Sequence, residues 1–399
     1  MKKSILLFLF ILSANNLFSQ HNFVLFIKDI TTNQPVQSAT ITVKNSGFGT
    51  ISNDEGAFQI SASNNAEIVI SHLEYKTFTV NLSKYDEKSN TILLEPNTLI
   101  LEDVVVTKEP VHELLLKAIT ISKSKFNKPI VLNSYYREFI KVNDKYTRFA
   151  DGLMEYHLSG TTKKTNSDLI VKQSRSAKLI TEDDETKDIV SGLDVRNAIT
   201  RQYNFYNIEK ILFDSKNYED YDFELKLRTD KSGSDVYVIN FQPKATLKEF
   251  LYKGTVVFDP NTYMIYDLEV YSDLSNLQYS KVVNILIVKA ALLDMKLKSS
   301  FKISNGNYIL AYSTRKGKIK IWNKKKYNET IEYKSDLIVT DYKKEDFSYD
   351  KKAVYDDKAL YKRGNKYSEK FWLKNNSMVL TDEEAQIIQK LELQSTVQN

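Results

Sequence analysis

Between Phe23 and Lys44, apolar and polar residues alternate with period two along Phe23-Val24-Leu25-Phe26-Ile27-Lys28-Asp29 and along Ala39-Thr40-Ile41-Thr42-Val43-Lys44, with Asn33-Gln34-Pro35 between the runs. That pattern predicts strand, turn, strand. Strand signals recur at Ile68-Val69-Ile70 and Tyr75, and the series closes on Leu101-Glu102-Asp103-Val104-Val105-Val106-Thr107. Gly56 follows the polar Asn53-Asp54-Glu55 and stands just before Phe58. A structural turn is expected there, with Gly56 in the positive-φ conformation that lets one strand reverse into the next. A calcium loop would need regularly spaced oxygen ligands, which this acidic turn lacks.

The period changes at Pro110. Val111, Leu114, Leu115, Ala118 and Ile119 follow the i, i+3, i+4, i+7, i+8 rule behind a proline suited to a first helical position, which predicts an amphipathic helix packed on a sheet. From Val131 to about Asp341 the chain reads as a long series of strands. Its turns fall at Asp230-Lys231-Ser232-Gly233-Ser234, at Asp259-Pro260-Asn261-Thr262 and at Asn305-Gly306, a dipeptide favoured in two-residue hairpin loops. An antiparallel meander follows. Beyond it, Lys343-Lys344-Glu345-Asp346 and Asp356-Asp357-Lys358 read as a charged, partly ordered extension anchored by Phe371 and Trp372. A last helix is expected at Thr381, where Thr381-x-x-Glu384 has the capping-box form and Ile387, Ile388 and Leu391 make a stripe.

In order and spacing, the segments from Phe23 to Thr107, including Gly47 and Gly49-Thr50, resemble the carboxypeptidase-regulatory-like domain of Bacteroidota envelope proteins, a small transthyretin-like β-sandwich. The resemblance implies a domain and no activity. Metallocarboxypeptidases carry zinc in a separate catalytic domain, and the four histidines here, His21, His72, His112 and His157, form no H-x-x-E or H-E-x-x-H pair. Glu102 to Thr107 is similar to a motif in front of outer-membrane transporters, near the place where an energy-coupling protein adds a strand. That likeness implies a partner-strand segment at Leu101 to Thr107. The residues themselves better suit a last sandwich strand or the link to the helix, because no plug or transmembrane barrel follows to be energised. The strand ending in Phe258-Asp259-Pro260 and the next, Tyr263 to Glu269, resemble a repeated hairpin of periplasmic lipoprotein carriers. Such folds bend an antiparallel sheet over a helix and hold acyl chains. The order helix, Tyr135-Tyr136-Arg137-Glu138, strands, then Phe371-Trp372 also looks like uncharacterised Bacteroidota proteins with the same first domain.

The ends and the composition narrow the compartment. Met1-Lys2-Lys3 followed by Ile5 to Leu12, with small Ser19 behind them, has the form of a secretory signal peptide. The chain has 399 residues and no cysteine, so stability must come from apolar cores, and neither a disulfide framework nor a lipid-modified cysteine is available. With Lys2 and Lys3 removed, the formal net charge of +5 falls by two to +3, on 56 basic and 51 acidic residues. Nucleic acid is not implied. No later run of about 20 apolar residues exists to make a helical anchor.

Candidate chemistry is sparse. There is no G-x-S-x-G; Ser122-x-x-Lys125, Ser299-x-x-Lys302 and Ser313-x-x-Lys316 match S-x-x-K, a pattern that recurs by chance in a lysine-rich chain. No S-D-N or K-T-G follows, the nearest being Lys164-Thr165-Asn166. Glu182-Asp183-Asp184-Glu185 offers paired carboxylates or a cation site, yet neighbours in one loop do not converge on a point without support from elsewhere. With 11 glycines, no phosphate loop or dinucleotide fingerprint is found. The 25 tyrosines and 20 phenylalanines suit sheet faces and cores, and some could line a glycan or lipid groove.

The expected protein is mainly β. A signal segment (1–19) precedes a transthyretin-like β-sandwich (20–107), a large, curved antiparallel sheet domain with one packed helix (108–345), and a charged extension with a C-terminal helix (346–399). Its expected function is that of a non-enzymatic, exported envelope protein of the periplasm or outer membrane. It would be a binding or interaction module with an envelope protein or an apolar ligand as partner, and would use no cofactor or metal. Alternatives are a lipid or lipoprotein carrier and, with converging carboxylates, a hydrolase of envelope polymers. The oligomeric state is not legible.

Overall fold

The computed structural model describes residues 21–44, 49–72, 74–86, 88–96, 103–104, 107–162, 164–179, 193–229, 235–285, 287–304, 306–324, 327–344, 348–366 and 378–397. The signal segment 1–19, the Asp230 to Ser234 loop, Glu182 to Glu185 and Phe371-Trp372 lie outside these residues, as do Leu101, Glu102, Val105 and Val106. The chain divides into two compact units, Met1–Asn97 with Asn376–Thr381, and Thr98–Asn375 with Asp382–Asn399.

The first unit is a β-sandwich. Its strands are β1 (His21–Asp29), β2 (Thr40–Val43), β3 (Gly49–Ile51), β4 (Ala57–Ala62), β5 (Glu67–His72), β6 (Tyr75–Asn81) and β7 (Thr91–Leu94). One sheet has the order β4-β1-β7 and the other β3-β2-β5-β6. Alternation places Leu25, Ile27, Phe58 and Ile60 of the first sheet against Ile41, Ile68 and Ile70 of the second, all buried. Between β3 and β4 the Asn53 carboxamide accepts the backbone N–H groups of Glu55 and Ala57, both at 2.9 Å, and so shapes the turn from its own side chain. Gly56 sits there at φ +74°. A Cβ at this position would fall on the Ile27 carbonyl oxygen, which is fixed in β1.

In the second unit the strands are β8 (Asp103–Val104), β9 (Ile130–Val142), β10 (Lys145–Gly160), β11 (Thr165–Lys178), β12 (Tyr221–Thr229), β13 (Asp235–Pro243), β14 (Tyr252–Phe258), β15 (Ile265–Ser272), β16 (Val282–Ile285), β17 (Val288–Ser304), β18 (Asn307–Trp322) and β19 (Asn328–Lys343). They form one sheet in the order β11-β10-β9-β19-β18-β17-β15-β14-β13-β12-β8, and β16 pairs with β17 beside that path. Every pairing is antiparallel. Asp103-Val104 therefore ends this second sheet, against Lys226 and Leu227, and does not belong to the sandwich.

One face of the sheet is covered by helices. In α1 (Val111–Lys125) the predicted stripe is buried at Leu114, Leu115, Ala118 and Ile119. Ser122 of the same helix accepts the Ile265 N–H at 2.9 Å and ties α1 to β15. Two short helices, α2 (Ala198–Tyr203) and α3 (Ile208–Phe213), interrupt what reads in sequence as continuous strand, so the packed helix has two companions. Six residues of α2 span about 9 Å, yet α2 touches both β11 and β18, which lie four strand spacings, roughly 19 Å, apart in a flat sheet. α2 thus reaches across several strands of the sheet. The stretch expected as a charged extension also packs here: Tyr355, Ala359, Leu360 and Tyr361 are buried in the same core.

The opposite face carries a polar cluster. Arg137 of β9 is fully buried and pairs with Asp336 of β19 at 3.1 Å and with Glu384 at 3.1 Å. Glu384 belongs to the C-terminal helix α4 (Asp382–Val397), whose Ile388 and Leu391 are buried. Burial opposes the charge of Arg137, but the Glu384 and Asp336 carboxylates outweigh it and hold its pKa above the ordinary arginine range. Lys334 reaches the other oxygen of Glu384 at 3.0 Å. Beside this cluster Asp151 takes Arg175 at 2.7 Å and the Tyr135 hydroxyl at 3.0 Å.

Two stability tests follow. Gly306 has the same φ as Gly56, +74°, but nothing lies within 4 Å of an added Cβ. Gly306→Ala should cost about 1–2 kcal/mol, the left-handed backbone term alone, whereas Gly56→Ala should cost clearly more; urea unfolding of the two variants checks the order. Arg137→Met leaves two buried carboxylates facing an apolar side chain and should cost about 3–5 kcal/mol. Glu384→Gln leaves the Asp336 pair in place and should mainly raise hydrogen exchange across α4.

Candidate functional site

Where α2 and α3 stop short of filling the covered face, a cavity of about 450 Å³ remains. Its floor is the sheet, through Val270 of β15, Met295 and Leu297 of β17, Arg315 and Ile319 of β18, Tyr333 of β19 and Tyr252 of β14. Its roof is Arg201 of α2, Tyr206 and Asn207 of the connecting turn, and Ile208 and Ile211 of α3. Val270, Ile208 and Leu297 are buried, while Asn207 is exposed and Ile211, Met295 and Ile319 are half-buried at the mouth. The volume is in the range of small-molecule sites.

The roof depends on an unusual turn. Phe205, Tyr206 and Asn207 are consecutive left-handed residues, at φ 45°, 52° and 59°. Asparagine tolerates this conformation, but each aromatic residue pays roughly 1–2 kcal/mol for it. Compensation comes from tertiary structure. The Phe205 ring is fully buried against Phe126 and Phe301, with centroids 5.6 and 5.2 Å away. Tyr206 holds the Ser299 hydroxyl at 2.7 Å, and Gln202 donates to Ser313 at 2.7 Å, pinning the roof to β17 and β18. Burial pushes the Tyr206 hydroxyl up to about 12, so it stays protonated at neutral pH. Backbone strain of this kind gathers at ligand sites.

Two guanidinium groups and the Asn207 carboxamide enter a lining that is otherwise apolar and aromatic. Burial, with Arg315 nearby, holds the pKa of Arg201 below its ordinary value. Arg315 lies over the Tyr333 ring, 5.9 Å from its centroid. That ring in turn lies across Gly317, where a Cβ would collide with the phenol carbons and oxygen. A glycine inside a long strand can mark such a close approach, and Gly317, passed over in the sequence, is a signal that could have led here. Among the described residues, no carboxylate lines the cavity. An anionic group on an apolar body matches this lining: the guanidinium pair would take the charge and the aliphatic walls the body.

Other candidate residues are placed elsewhere. Gly56 lies in the first unit, in the turn before β4. Of the segment Leu101 to Thr107, Asp103 and Val104 form the terminal strand β8, and the Thr107 hydroxyl donates to the Glu109 carbonyl at 2.6 Å. The S-x-x-K serines are all used structurally. Ser122 serves the Ile265 backbone, Ser299 meets Tyr206 and Ser313 accepts from Gln202. In β17 and β18, residues three apart also point to opposite faces of the sheet, which separates Ser299 from Lys302 and Ser313 from Lys316. His157 stands 3.7 Å from Glu155 and under the Tyr349 ring at 4.1 Å. Among the described residues no group of three or more His, Asp or Glu could hold a metal ion.

Residues 26–106 match the family model of the CarboxypepD_reg-like domain, about a fifth of the chain. No curated protein matches the chain. Among solved structures it is similar to a LolA superfamily protein from Nitrosomonas europaea, at 13% identity and a TM-score of 0.21, covering 57% of this chain and 93% of that one. A DUF1329 family protein from Desulfovibrio piger gives 10% identity and a TM-score of 0.24, covering 57% and 91%. Lipovitellin gives 12% and 0.24, covering 64% of this chain and 29% of that one. At scores this low the likenesses say nothing of what the second unit binds.

The ring-on-glycine contact can be measured directly. Gly317→Val should cost about 1–3 kcal/mol by overpacking against Tyr333, and much less in a Tyr333→Ala background. Equal costs in a urea double-mutant cycle would contradict the contact.

Proposed function

We propose that this chain is a non-enzymatic binding protein of the cell envelope, whose second unit holds an apolar molecule with one anionic end. The observation that carries the reading is the cavity between α2, α3 and the sheet, where Arg201 and Arg315 stand among Val270, Leu297, Ile208 and Ile211. A fatty acid or the acyl portion of an anionic lipid has the matching chemistry, since burial of its chain contributes about 0.8 kcal/mol per methylene. Export is part of the proposal and rests on the pattern from Lys2-Lys3 through Leu12 to Ser19. No described helix is long and apolar enough to cross a membrane.

A second binding mode is supported by one feature. β8 ends the strand order of the large sheet, so a partner strand pairing with Asp103-Val104 would add at its outer edge.

The test of the cavity uses a dansyl-labelled fatty acid and its methyl ester. The acid should show saturable, blue-shifted emission, and the ester should bind about tenfold more weakly for want of the charge-assisted hydrogen bonds. Ile211→Trp, at the half-buried mouth, should block uptake of both. Equal affinity for acid and ester would remove the role given to the arginines, and no uptake at all would remove the site.

A further inference from the structure

Twelve large apolar side chains of the described residues are exposed, and six of them fall within one stretch of fourteen residues. They are Leu274 (52% exposed), Leu277, Tyr279, Val282 (54%), Val283 (50%) and Ile287 (65%). The stretch comprises a 3-10 turn (Leu274–Tyr279), β16 and the turn into β17. Scattered single exposures need no explanation, but a contiguous group of this kind marks a contact surface.

The arrangement says what kind of contact. Val282 and Val283 are neighbours in a strand and so point to opposite faces, and both are exposed. A protein docked on one face would leave the other in water. An apolar medium around the tip covers both. Charge agrees with a lipid surface of negative sign: from Leu274 to Leu292 the chain contains Lys281 and Lys289 and no acidic residue. The Lys281 side chain is 82% exposed, with Glu249 at 3.5 Å as its partner. Tyr279 and the half-buried Trp322, which stands opposite Lys289, are the residue types that settle at the boundary between headgroups and hydrocarbon. β16 pairs with β17 and with no other described strand, so its outer backbone groups still need water or headgroup partners. That limits the tip to the interface and keeps it out of the hydrocarbon centre.

We infer that residues 274–287 form a docking tip that seats the second unit on an anionic lipid surface. The tip adjoins the cavity. β17 runs from the hairpin at Val288 to the cavity floor at Met295, and Leu292, between them, pairs with the cavity residue Ile319. Docking would therefore bring the mouth of the cavity within about 10–20 Å of the lipid surface, along three to five strand residues. The delivery of a lipid into the cavity rests on the function proposed above; the lipid contact does not.

The full chain, flotated with phosphatidylcholine–phosphatidylglycerol vesicles, should bind them, and should bind pure phosphatidylcholine vesicles far less. The variant Val282→Ser/Val283→Ser/Ile287→Ser should bind about tenfold more weakly or less, with an unchanged unfolding midpoint and unchanged uptake of the dansyl fatty acid. The absence of cysteine allows one reporter at the tip: Ile287→Cys labelled with nitrobenzoxadiazole should shift to the blue on vesicle addition. Wild-type protein that stays unbound, or a triple variant that binds equally well, overturns the tip. So does a tip that instead drives self-association abolished by Val283→Pro, which would make it an edge between copies of this chain. Vesicle binding without fatty-acid uptake keeps the tip and rejects the cavity.

Discussion

A broad antiparallel sheet made of strands up to 17 residues long has two faces, and neither can be left bare if both carry large apolar side chains. That constraint organises the second unit. On one face, Leu132, Tyr136, Tyr156, Val256, Leu268 and Phe301 demand a cover, and α1, α2, α3 and the segment around Leu360 supply it. On the other face, charge does part of what apolar packing does elsewhere: Arg137, Asp336 and Glu384 attach α4 by ion pairs with no exposed guanidinium. A buried pair of this kind is weak evidence for net stability, because desolvation offsets the attraction. Its clearer effect is on register, since Arg137 meets both acids only when β9, β19 and α4 are aligned as they are.

The cavity is what the cover leaves undone. Two six-residue helices cannot span the floor from β14 to β19, and the left-handed turn at Phe205 to Asn207 holds them apart. The energetic account is a local cost set against distant compensation: strained aromatics in the turn, ring packing with Phe126 and Phe301, and two hydroxyl contacts into the sheet. Remove the compensation and the roof would be expected to fall onto the floor, because apolar walls close when nothing props them open. The sheet would survive such a collapse. The binding property would not.

Strands and the first helix were legible because each expresses a period that one face of packing enforces, as in Leu25 and Ile27 or Leu114, Leu115 and Ala118. α2 and α3 were not, since six residues are too few to show a 3.6-residue stripe, and their apolar content fits strand as readily. Tyr355 to Tyr361 were hidden by the charges around them; irregular turns bury isolated residues without any period. The capping-box spacing at Thr381 does mark the start of α4, yet the Glu384 carboxylate serves Arg137 and Lys334, a use invisible without the fold. Of the site, Arg201 and Arg315 look like two of 56 basic residues, and only the sheet brings them to one cavity. Gly317, inside the long strand β18, is a local signal that went unread.

The most direct test of the account is native mass spectrometry of the full chain, purified without detergent from cells that make it. The account predicts a reproducible population carrying one adduct per chain with the mass of a fatty acid or anionic lipid, lost after delipidation and restored by adding that lipid. A protein found only at its bare mass, which also gains no adduct when fatty acid is supplied, would contradict it.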